Sequence, residues 1–497
     1  MSSSAPPPVV RWRTDFDKFV VTSNFERRGW RRWEERSDED WNVFWANVHT
    51  VREIFNPDNG IRLGEHQLVN HFPNHHELTR KDLMVKNMKR YRKELEKRCK
   101  ERGEDPASAS RATDFLPLTF SLPADYALFA EEFRRVQRAG AKHATWIVKP
   151  TGKAQGKGIF LVNKLAQLRR FAPGGGAPEP PSAGGRPGGD PRARRGDDAR
   201  GDDARRHPRG GVDASPHVVS RYVSNPLLIG GKKFDLRVYV VVTRFRPLRA
   251  YISRLGFARF CNVKYSSAPD DLENPYVHLT NVAVQRKHRE YNHKHGNKWS
   301  LANLRLYLDA ARGAKATDAM FASINEAIAH SLRSVQNAVV NDRRCFEVYG
   351  YDMLVDDDLK PWLVEVNASP SLSATTESDR ALKTRVIRDA LEVAAPAGWL
   401  EARQAEFEAK RAGGVPGGGA SSLVHGGGAS WSRREPTWRT EGGVPASVAG
   451  SLDVLVDDAA DDLRERRERE REGAKEARGG ERVVGFGSSG RGRGPTR

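Results

Sequence analysis

The sequence predicts an α+β fold built on antiparallel hairpins, and two stretches carry most of that prediction. Residues 234–252, FDLRVYVVVTRFRPLRAYI, alternate with the period of a β-strand on both sides of a turn at Arg246 and Pro247. Residues 345–355, CFEVYGYDMLV, and 361–367, PWLVEVN, flank the polar turn DDDLK. No helix separates the strands within either pair, so we expect antiparallel hairpins rather than repeated βαβ units.

Two further stretches predict helices. Residues 82–100, DLMVKNMKRYRKELEKRCK, form one helix with a dense basic side. Residues 321–340 repeat large apolar side chains at helical spacing, which is typical of a core helix. Its predicted buried stripe comprises Phe321, Ile324, Ile328, Leu332, Val335 and Val339.

Composition divides the chain into folded and low-complexity parts. Residues 9 to about 171 and 218 to about 400 are rich in aliphatic and aromatic side chains and read as folded. Residues 172–217 contain almost no large apolar side chains and a tandem RGDDA repeat, so we predict a disordered insertion. Residues 399–497 contain glycine-rich and mixed-charge runs, which predict a disordered low-complexity tail.

Charge and cysteine usage limit the partners and the compartment. The 497 residues carry a formal net charge of +19, which favours a polyanionic partner: a nucleic acid, an acidic membrane surface or an acidic protein tail. Cys99, Cys261 and Cys345 are far apart and predict neither a disulfide framework nor a zinc site. The start lacks a signal peptide's apolar core, and no apolar run is long enough to span a bilayer. We therefore expect a cytosolic protein without a membrane partner.

The glycine- and lysine-rich stretch KPTGKAQGKGIF, residues 149–160, is a candidate phosphate-binding loop. It departs from the P-loop, because only three residues separate Gly152 from Gly156 and no Ser or Thr follows the lysine. The apolar runs ATWIVKP and KGIFLV on either side predict that the loop joins two strands. Such a loop can close over a triphosphate with its backbone N–H groups and lysines. The alternative from these residues alone is an ordinary surface turn.

The acidic hairpin supports the hypothesis that the glycine- and lysine-rich loop binds phosphate. Glu365 and Asn367 lie two residues apart on a strand, so their side chains share one face. Asp352, on the preceding strand, would lie opposite Val364 or Glu365, depending on the register. Two carboxylates and an amide oxygen are the ligands that Mg²⁺ prefers, with phosphate oxygens in other positions. A solvated hairpin explains the turn residues 356–358, but it explains Glu365 and Asn367 poorly, because their neighbours are apolar.

These motifs together resemble the tubulin–tyrosine ligase-like family. The resemblance rests on KPTGKAQGKGIF, SRYVSNPLLIGGKKFDLRVYV, HLTNVAVQ, GYDMLVDDDLKPWLVEVNASPSL and HFPNHHELTRKDLMVKN, and it covers about residues 9–395 apart from the insertion. Among the members, the chain is most similar to tubulin polyglutamylases that act as the catalytic subunit of a complex. The resemblance implies an ATP-grasp fold, in which two α+β subdomains hold ATP, with a small N-terminal domain. The implied units are residues 9–79, 80–225 with the insertion, and 226–398.

The resemblance also implies the role of individual residues. ATP would phosphorylate a carboxylate, and an amino group would attack the acylphosphate to form an amide, with Lys149, Gln155 and Arg259 as catalytic residues. Asp352, Glu365 and Asn367 would hold Mg²⁺. The residues expected to contact ATP are Lys149, Gln155, Gly156, Lys157, Gly158, Ser220, Arg221, Tyr222, Val223, Lys233, Phe234, Asp235, Thr280 and Asn281.

The resemblance implies free L-glutamate as the incoming amino acid. Arg259 and Lys298 match the positions that bind it, and two cations suit a dianionic amino acid better than glycine or tyrosine. Without the resemblance, either residue reads as a surface cation.

The implied partners are tubulin or microtubules, through the acidic C-terminal tails, and further subunits of a polyglutamylase complex. The predicted location is the cytoplasm and cytoskeleton, at a cilium or flagellum. A candidate surface for the acidic tail is the basic helix, although a solvated helix face explains the same residues: Arg80, Lys81, Lys86, Lys89, Arg90, Arg92 and Lys93.

Two other function classes remain to be weighed. A nucleic-acid-binding protein would explain the net charge and the Arg-Gly segments, but those segments lie in the insertion and the tail. We therefore do not expect nucleic acid as a partner. An inactive microtubule-binding scaffold would retain the fold, but the joint presence of Lys149, Asp352, Glu365 and Asn367 argues against it.

Overall fold

The structure is a computed structural model that describes residues 8–35, 40–140, 144–172, 215–374, 376–411 and 447–463. It confirms the α+β class, with helices packed on three sheets. The helices are Phe19–Arg27 (α1), Val48–Ile54 (α2), His76–Thr79 (α3), Lys81–Glu101 (α4), Pro106–Ala112 (α5), Tyr126–Arg138 (α6), Pro275–His278 (α7), Val282–Gln285 (α8), Leu301–Arg312 (α9), Ala314–Val335 (α10), Glu377–Ala394 (α11) and Trp399–Arg411 (α12). Short 3₁₀ turns are Pro57–Asn59, Leu165–Phe171 and Pro269–Asp271.

The strands are Arg11–Thr14 (β1), Arg31–Arg32 (β2), Val43–Trp45 (β3), Leu68–Val69 (β4), Thr119–Leu122 (β5), Trp146–Pro150 (β6), Phe160–Val162 (β7), His217–Arg221 (β8), Leu228–Ile229 (β9), Lys232–Phe245 (β10), Leu248–Phe260 (β11), Lys298–Ser300 (β12), Glu347–Val355 (β13), Pro361–Asn367 (β14), Ser447–Ala449 (β15) and Leu452–Asp457 (β16).

The large sheet contains both predicted hairpins. Its order is β14-β13-β10-β11-β16-β15, with β12 paired to β11 and β9 to β10. The pairs β10–β11 and β13–β14 are antiparallel, as the sequence predicts. Asp352 lies opposite Glu365, and an irregularity then pairs Met353 with Leu363. The register left open by the sequence therefore brings the two carboxylates together.

Two helices cover one face of the large sheet and close its core. On α10, Ile324, Ile328, Leu332 and Val335 are buried, which confirms most of the predicted stripe. Val339 lies beyond the end of the helix, in the turn that follows, yet it is buried in the same core. The half-buried Phe321 packs against that core from its edge, while the predicted basic helix, α4, presents its apolar side to it.

The smaller central sheet has the order β5-β8-β6-β7 and packs on α6. Phe129 and Phe133 of α6 contact Trp146 of β6, and all three rings are buried. The loop predicted to join two strands does so, because β6 and β7 are antiparallel neighbours. This compact unit begins near β5, after the start of the predicted unit 80–225. Helix α4 packs instead in the core of the large sheet.

The N-terminal residues form a parallel sheet, with the order β2-β1-β3-β4, that is joined to the large sheet. Val69 pairs with Cys345, just before β13. His71 Nδ1 lies 2.6 Å from the buried Glu347 Oε1. Trp12 and Phe25 share a core with helix α11. The predicted N-terminal unit, residues 9–79, is therefore packed against the rest of the protein.

The prediction of a wholly disordered tail was wrong for two segments. Residues 399–411 form α12, and residues 447–457 form two strands of the large sheet. Strand β16 pairs with β11, and its Leu452, Leu455 and Val456 are buried. The alternating run LDVLVD carries a strand signal that its glycine-rich surroundings obscured. Residues 412–446 and 464–497 lie outside the described part.

The predicted insertion also lies almost entirely outside the described residues, which omit 173–214. Its C-terminal boundary is earlier than expected, because His217 already belongs to β8. The three cysteines are all described and all free, as predicted. None of the described helices is both long and apolar enough to cross a membrane.

Strand β16 should contribute measurably to stability. We expect Leu452→Ala to lower the free energy of unfolding by about 3 kcal/mol, because it leaves a cavity where the side chain is fully buried. A matched control is Leu306→Ala, whose side chain is 70% exposed and should change stability by less than about 0.5 kcal/mol. Urea denaturation followed by tryptophan fluorescence measures both. Equal midpoints for the two variants would contradict the packing of β16.

Candidate active site

A cleft lies between the central sheet and the large sheet, with the first turns of α4 at its border. The empty space inside it, counted together with its open mouth, is about 970 Å³. The predicted site residues that line it come from both sheets and from the segment before α8. They are Lys149, Ser220, Arg221, Tyr222, Val223, Lys233, Asp235, Thr280, Asn281, Asp352 and Glu365.

One part of the cleft is apolar. The side chains there come from α4, both sheets and the segment before β5, and none of them was among the predicted site residues. They include Met84, Val85, Leu116, Ile147, Ile159, Val218, Leu354 and Leu363. This apolar wall is suited to a flat organic ring, with the backbone of the predicted stretch 220–223 beside it.

Three lysines from different elements meet in the cleft. Lys149, on β6, is 9% exposed, and its ammonium group has no salt-bridge partner among the described residues. Burial lowers its pKa from 10.5 to about 8, against the opposing effect of Glu365. Lys233, on β10, donates to Tyr222 Oη at 2.9 Å and to the carbonyl oxygen of His278 at 3.1 Å, and burial lowers its pKa. Such desolvated cations favour an anionic ligand.

The third lysine corrects the sequence interpretation of α4. Lys81 was assigned to an exposed basic surface, but it is buried, and its Nζ lies 3.1 Å from Glu365 Oε2. Arg92 is also engaged within the protein, because it donates hydrogen bonds to the hydroxyl and carbonyl oxygens of Thr113. The exposed residues of the predicted surface are Arg80, Lys86, Lys89, Arg90 and Lys93.

The acidic hairpin brings the predicted metal ligands together at the cleft. Asp352 and Glu365 are opposite each other on β13 and β14. Asn367 Nδ2 donates to the carbonyl oxygen of Gly350 at 3.2 Å and lies 3.4 Å from Glu365 Oε1. Its amide oxygen accepts no hydrogen bond from any described residue. Within the described ranges, no group of three His, Cys, Asp or Glu residues could hold a metal ion. The predicted site therefore depends on the amide and on ligand oxygens.

Asp352 is held by two arginines. It is 2% exposed. Arg237 donates to its two oxygens at 2.6 and 3.1 Å, and Arg259 Nη2 lies 2.8 Å from Oδ2. Burial alone would raise the pKa of Asp352, but the two guanidinium groups hold it well below its usual range. The carboxylate is thus ionised at any physiological pH.

Sequence reasoning missed Arg237, although a signal for it exists. Arg237 lies two residues after Asp235 on β10, so both side chains project from the same face of the sheet. The rest of that strand's centre is apolar, and two buried charges at this spacing indicate partners on the neighbouring strands. Those partners are Asp352 on β13 and Arg259 on β11.

The two residues predicted to bind the amino-acid substrate are cross-strand partners. Arg259 of β11 lies opposite Lys298 of β12. Arg259 also forms a bidentate ion pair with Asp235, its partner on β10. Lys298 Nζ lies 3.0 Å from Asp379 Oδ2 and above the ring of Phe257. Neither residue lines the wall of the cleft, but Arg259 contacts Asp352, which does.

Phe234 is placed elsewhere. Its side chain is 1% exposed and packs on Phe260 in the core of the large sheet. Phe234 therefore does not line the cleft, unlike Lys233 and Asp235 on either side of it.

The glycine-lysine loop approaches the cleft from the side of α8. Gln155, Gly156 and Gly158 have left-handed backbone angles, with φ values of 63°, 77° and 73°. A Cβ atom at Gly156 would lie 3.1 Å from Asn281 Oδ1, so glycine permits this close approach. Gln155 and Lys157 are exposed. The predicted loop and the HLTN stretch are thus in contact.

Comparisons with known proteins agree with these features. Residues 60–401 match the model of the Tubulin-tyrosine ligase family. The Tetrahymena thermophila protein named "Probable alpha-tubulin polyglutamylase Ttll1" is 47% identical over 403 residues, covering 78% of this chain and 87% of that protein. The Mus musculus protein named "Probable tubulin polyglutamylase TTLL9" is 41% identical over 392 residues, covering 78% of this chain and 79% of that protein.

The lowered pKa of Lys149 makes stability depend on pH in a defined direction. Between pH values of about 8 and 10.5, the unfolded chain keeps a proton on Lys149 that the folded protein has released. Raising the pH through this window therefore increases the unfolding free energy. We expect the urea midpoint of the wild type to rise relative to that of Lys149→Met between about pH 7 and about pH 9.5. A constant difference would show that Lys149 titrates normally.

Arg237 should be important for stability. We expect Arg237→Ala to lower the unfolding free energy by about 3 kcal/mol, because it removes one of two cations from a buried carboxylate. The matched control is Arg312→Ala, which removes the exposed pair with Asp357 and should cost less than about 1 kcal/mol. Urea denaturation of both variants measures this difference. A loss no larger than the control's would contradict the arrangement.

Proposed function

Because this chain belongs to the tubulin-tyrosine ligase family, we propose that it is an ATP-dependent ligase that adds glutamate to glutamate side chains in the acidic C-terminal tails of tubulin. The observation that carries the proposal is the cleft itself. Lys149 from the central sheet lines it together with Lys233, Asp352 and Glu365 from the large sheet, next to an apolar wall. One cavity therefore contains cations for phosphate groups, carboxylates for a metal ion and an apolar wall for the adenine ring.

The proposal includes an ATP-grasp arrangement. The central sheet with its glycine-lysine loop is one α+β unit, and the large sheet with its hairpins is the other. Most of the candidate nucleotide residues line the cleft between the two units. In this arrangement the adenine lies against the apolar wall beside residues 220–223, and the phosphate groups lie toward Lys149 and Lys233.

The donor set fits Mg²⁺. Glu365 and Asp352 supply carboxylate oxygens, and Asn367 supplies an amide oxygen beside them, which is the hard-oxygen chemistry that Mg²⁺ prefers. When bound, the ion neutralises phosphate oxygens and helps to align them for transfer. Lys81 pairs with Glu365 and the two arginines pair with Asp352, which holds these carboxylates in position.

The reaction forms one amide bond at the expense of one ATP. A glutamate side-chain carboxylate of the tubulin tail attacks the γ-phosphorus, and ADP leaves. The amino group of free glutamate then attacks the acyl carbon, and phosphate leaves. Lys149 and Lys233 stabilise negative charge during transfer. Gln155 and its neighbouring glycines belong to a loop that can cover the site and exclude water, which would otherwise hydrolyse the acylphosphate.

The choice of glutamate depends on Arg259 and Lys298. They are neighbours across two strands, and Arg259 contacts Asp352 in the cleft. Their present partners, Asp235 and Asp379, show that this region accommodates carboxylates. A second carboxylate on the incoming amino acid can take part in the same network. A ligase for another amino acid, such as glycine, is the competing assignment.

The proposed setting follows from the substrate. The protein acts on tubulin in the cytoplasm and at the cytoskeleton, including the axoneme or basal body of a cilium or flagellum. It acts together with other subunits of a polyglutamylase complex, so the assay must include tubulin and candidate companion proteins. An inactive microtubule-binding scaffold would bind tubulin without incorporating glutamate, and this is the alternative outcome.

The direct test is ATP- and Mg²⁺-dependent incorporation of labelled glutamate into tubulin. Lys149→Ala and Glu365→Gln should each lower kcat/KM by about a hundredfold or more, because each removes charge that acts on the transferring phosphoryl group. The matched control is Lys315→Ala, an exposed lysine at the start of α10. Equal incorporation by all four proteins would exclude this cleft as the active site. Tubulin binding without any incorporation would favour the scaffold.

Substrate choice has its own test. We expect Arg259→Ala and Lys298→Ala to lose about tenfold or more in kcat/KM for glutamate, with a smaller loss for glycine, because glycine lacks the second carboxylate. Competition between the two labelled amino acids measures the ratio. Unchanged glutamate use in both variants would remove these residues from the substrate site.

A further inference from the structure

The chain between α8 and β12 forms an exposed basic loop, residues 286–296, at the border of the candidate site. We call it the basic loop. Asn281, at the start of α8, lies against the glycine-lysine loop. Lys298, in β12, lies opposite Arg259. The basic loop therefore connects the nucleotide end of the site with its amino-acid end.

The basic loop is held at both ends by one residue. Asn262, just after β11, accepts a hydrogen bond from Asn297 Nδ2. Its backbone N–H donates to Gln285 Oε1 at 2.7 Å, and its side chain donates to the Gln285 carbonyl oxygen at 2.6 Å. Residues 285 and 297 are thus fixed close together, which is the geometry of a compact Ω-loop.

Further contacts order the loop internally. Asn292 Oδ1 accepts from the backbone N–H groups of Lys294 and His295 at 3.0 and 3.1 Å. The Gly296 N–H donates to the Asn292 carbonyl oxygen at 2.7 Å. Tyr291 is buried beneath the loop. The charged side chains are consequently presented by a folded scaffold, which lowers the entropic cost of binding a partner.

The charges on this loop are unbalanced. Arg286, Lys287, Arg289 and Lys294 are all exposed, and Glu290 is the single carboxylate in the segment. No side chain among these four cations has a salt-bridge partner within the described ranges. Several exposed cations of α4 and of the residue before it, in contrast, are paired: Arg80 with Asp82, Arg90 with Glu94, and Lys97 with Glu101. An unpaired group of cations favours a polyanionic partner.

We propose that the basic loop is the docking surface for an acidic segment of the acceptor protein, a stretch of chain rich in glutamate. The inference rests on the proposed function, because it concerns the acceptor of the same reaction. Its support is the position of the loop between the two ends of the site, its clamped base and its unpaired positive charge. It replaces α4 as the main surface for the acidic tail, since Lys81 and Arg92 of α4 are engaged in internal contacts.

The test compares two variants that each remove four positive charges. The loop variant carries Arg286→Gln, Lys287→Gln, Arg289→Gln and Lys294→Gln. The control variant carries Lys97→Gln, Arg98→Gln, Lys100→Gln and Arg102→Gln, all exposed at the far end of α4. That end begins about 24 Å along the helix from Lys81, at 1.5 Å per residue. Both variants have the same net charge.

We expect the loop variant to raise KM for tubulin about tenfold while kcat stays within about twofold, because docking charges act on substrate capture. Its KM values for ATP and glutamate should not change. Binding of a fluorescent glutamate-rich peptide should weaken to the same extent and lose much of its salt dependence. The control variant should behave as the wild type, and a glutamine-substituted peptide should bind none of the three proteins.

Each outcome is decisive. An unchanged tubulin KM in the loop variant, or an equal increase in the control, overturns the proposal. The same holds if only a Lys86→Gln, Lys89→Gln, Lys93→Gln variant is impaired, which would assign the tail to α4. If the loop variant unfolds at a lower temperature, Lys287→Gln with Lys294→Gln replaces it. If the wild-type protein incorporates no glutamate, the proposed function is contradicted instead. Binding of the glutamate-rich peptide then still tests whether the basic loop is a docking surface.

Discussion

The carboxylate of Asp352, buried between the guanidinium groups of Arg237 and Arg259, is the interaction on which the candidate site depends. Three adjacent strands contribute to it: β10, β11 and β13. Asp235 extends the network by pairing with Arg259. Two anions and two cations thus satisfy one another where neither charge could be buried alone. The same network fixes the orientation of the side chains that face the cleft.

The rest of the site is joined to this network by further ion pairs. Lys81 reaches from the first turn of α4 to Glu365, which lies opposite Asp352. Lys298 connects β12 to Asp379 at the start of α11. Elements that are far apart in sequence therefore converge through ion pairs, while apolar packing holds their backbones. This division explains why the cleft can be polar at its centre without weakening the core on the other face of the sheet.

The sequence predicted those features that depend on residues close together in the chain. The hairpins follow from period-two alternation around short polar turns, and α4 and α10 follow from helical spacing. The set of Asp352, Glu365 and Asn367 could be proposed because two of its members share a strand face. Contacts between distant segments could not be read in this way. Lys81 looked like one of many surface cations, and nothing in its neighbourhood showed that Glu365 would bury it. Val339 is buried in the apolar core although helix α10 ends before it.

The late position of β16 in the sequence affects how the protein folds during its synthesis. Its partner β11 ends at residue 260, almost two hundred positions before β16 begins. During synthesis the part of β11 that pairs with β16, residues 249–253, therefore leaves the ribosome with one backbone edge unpaired, and it stays so until residue 457 has followed. An open strand edge of this kind readily associates with other chains. A nascent protein of this architecture consequently needs protection, from a chaperone or from a partner subunit, until its own late segment arrives.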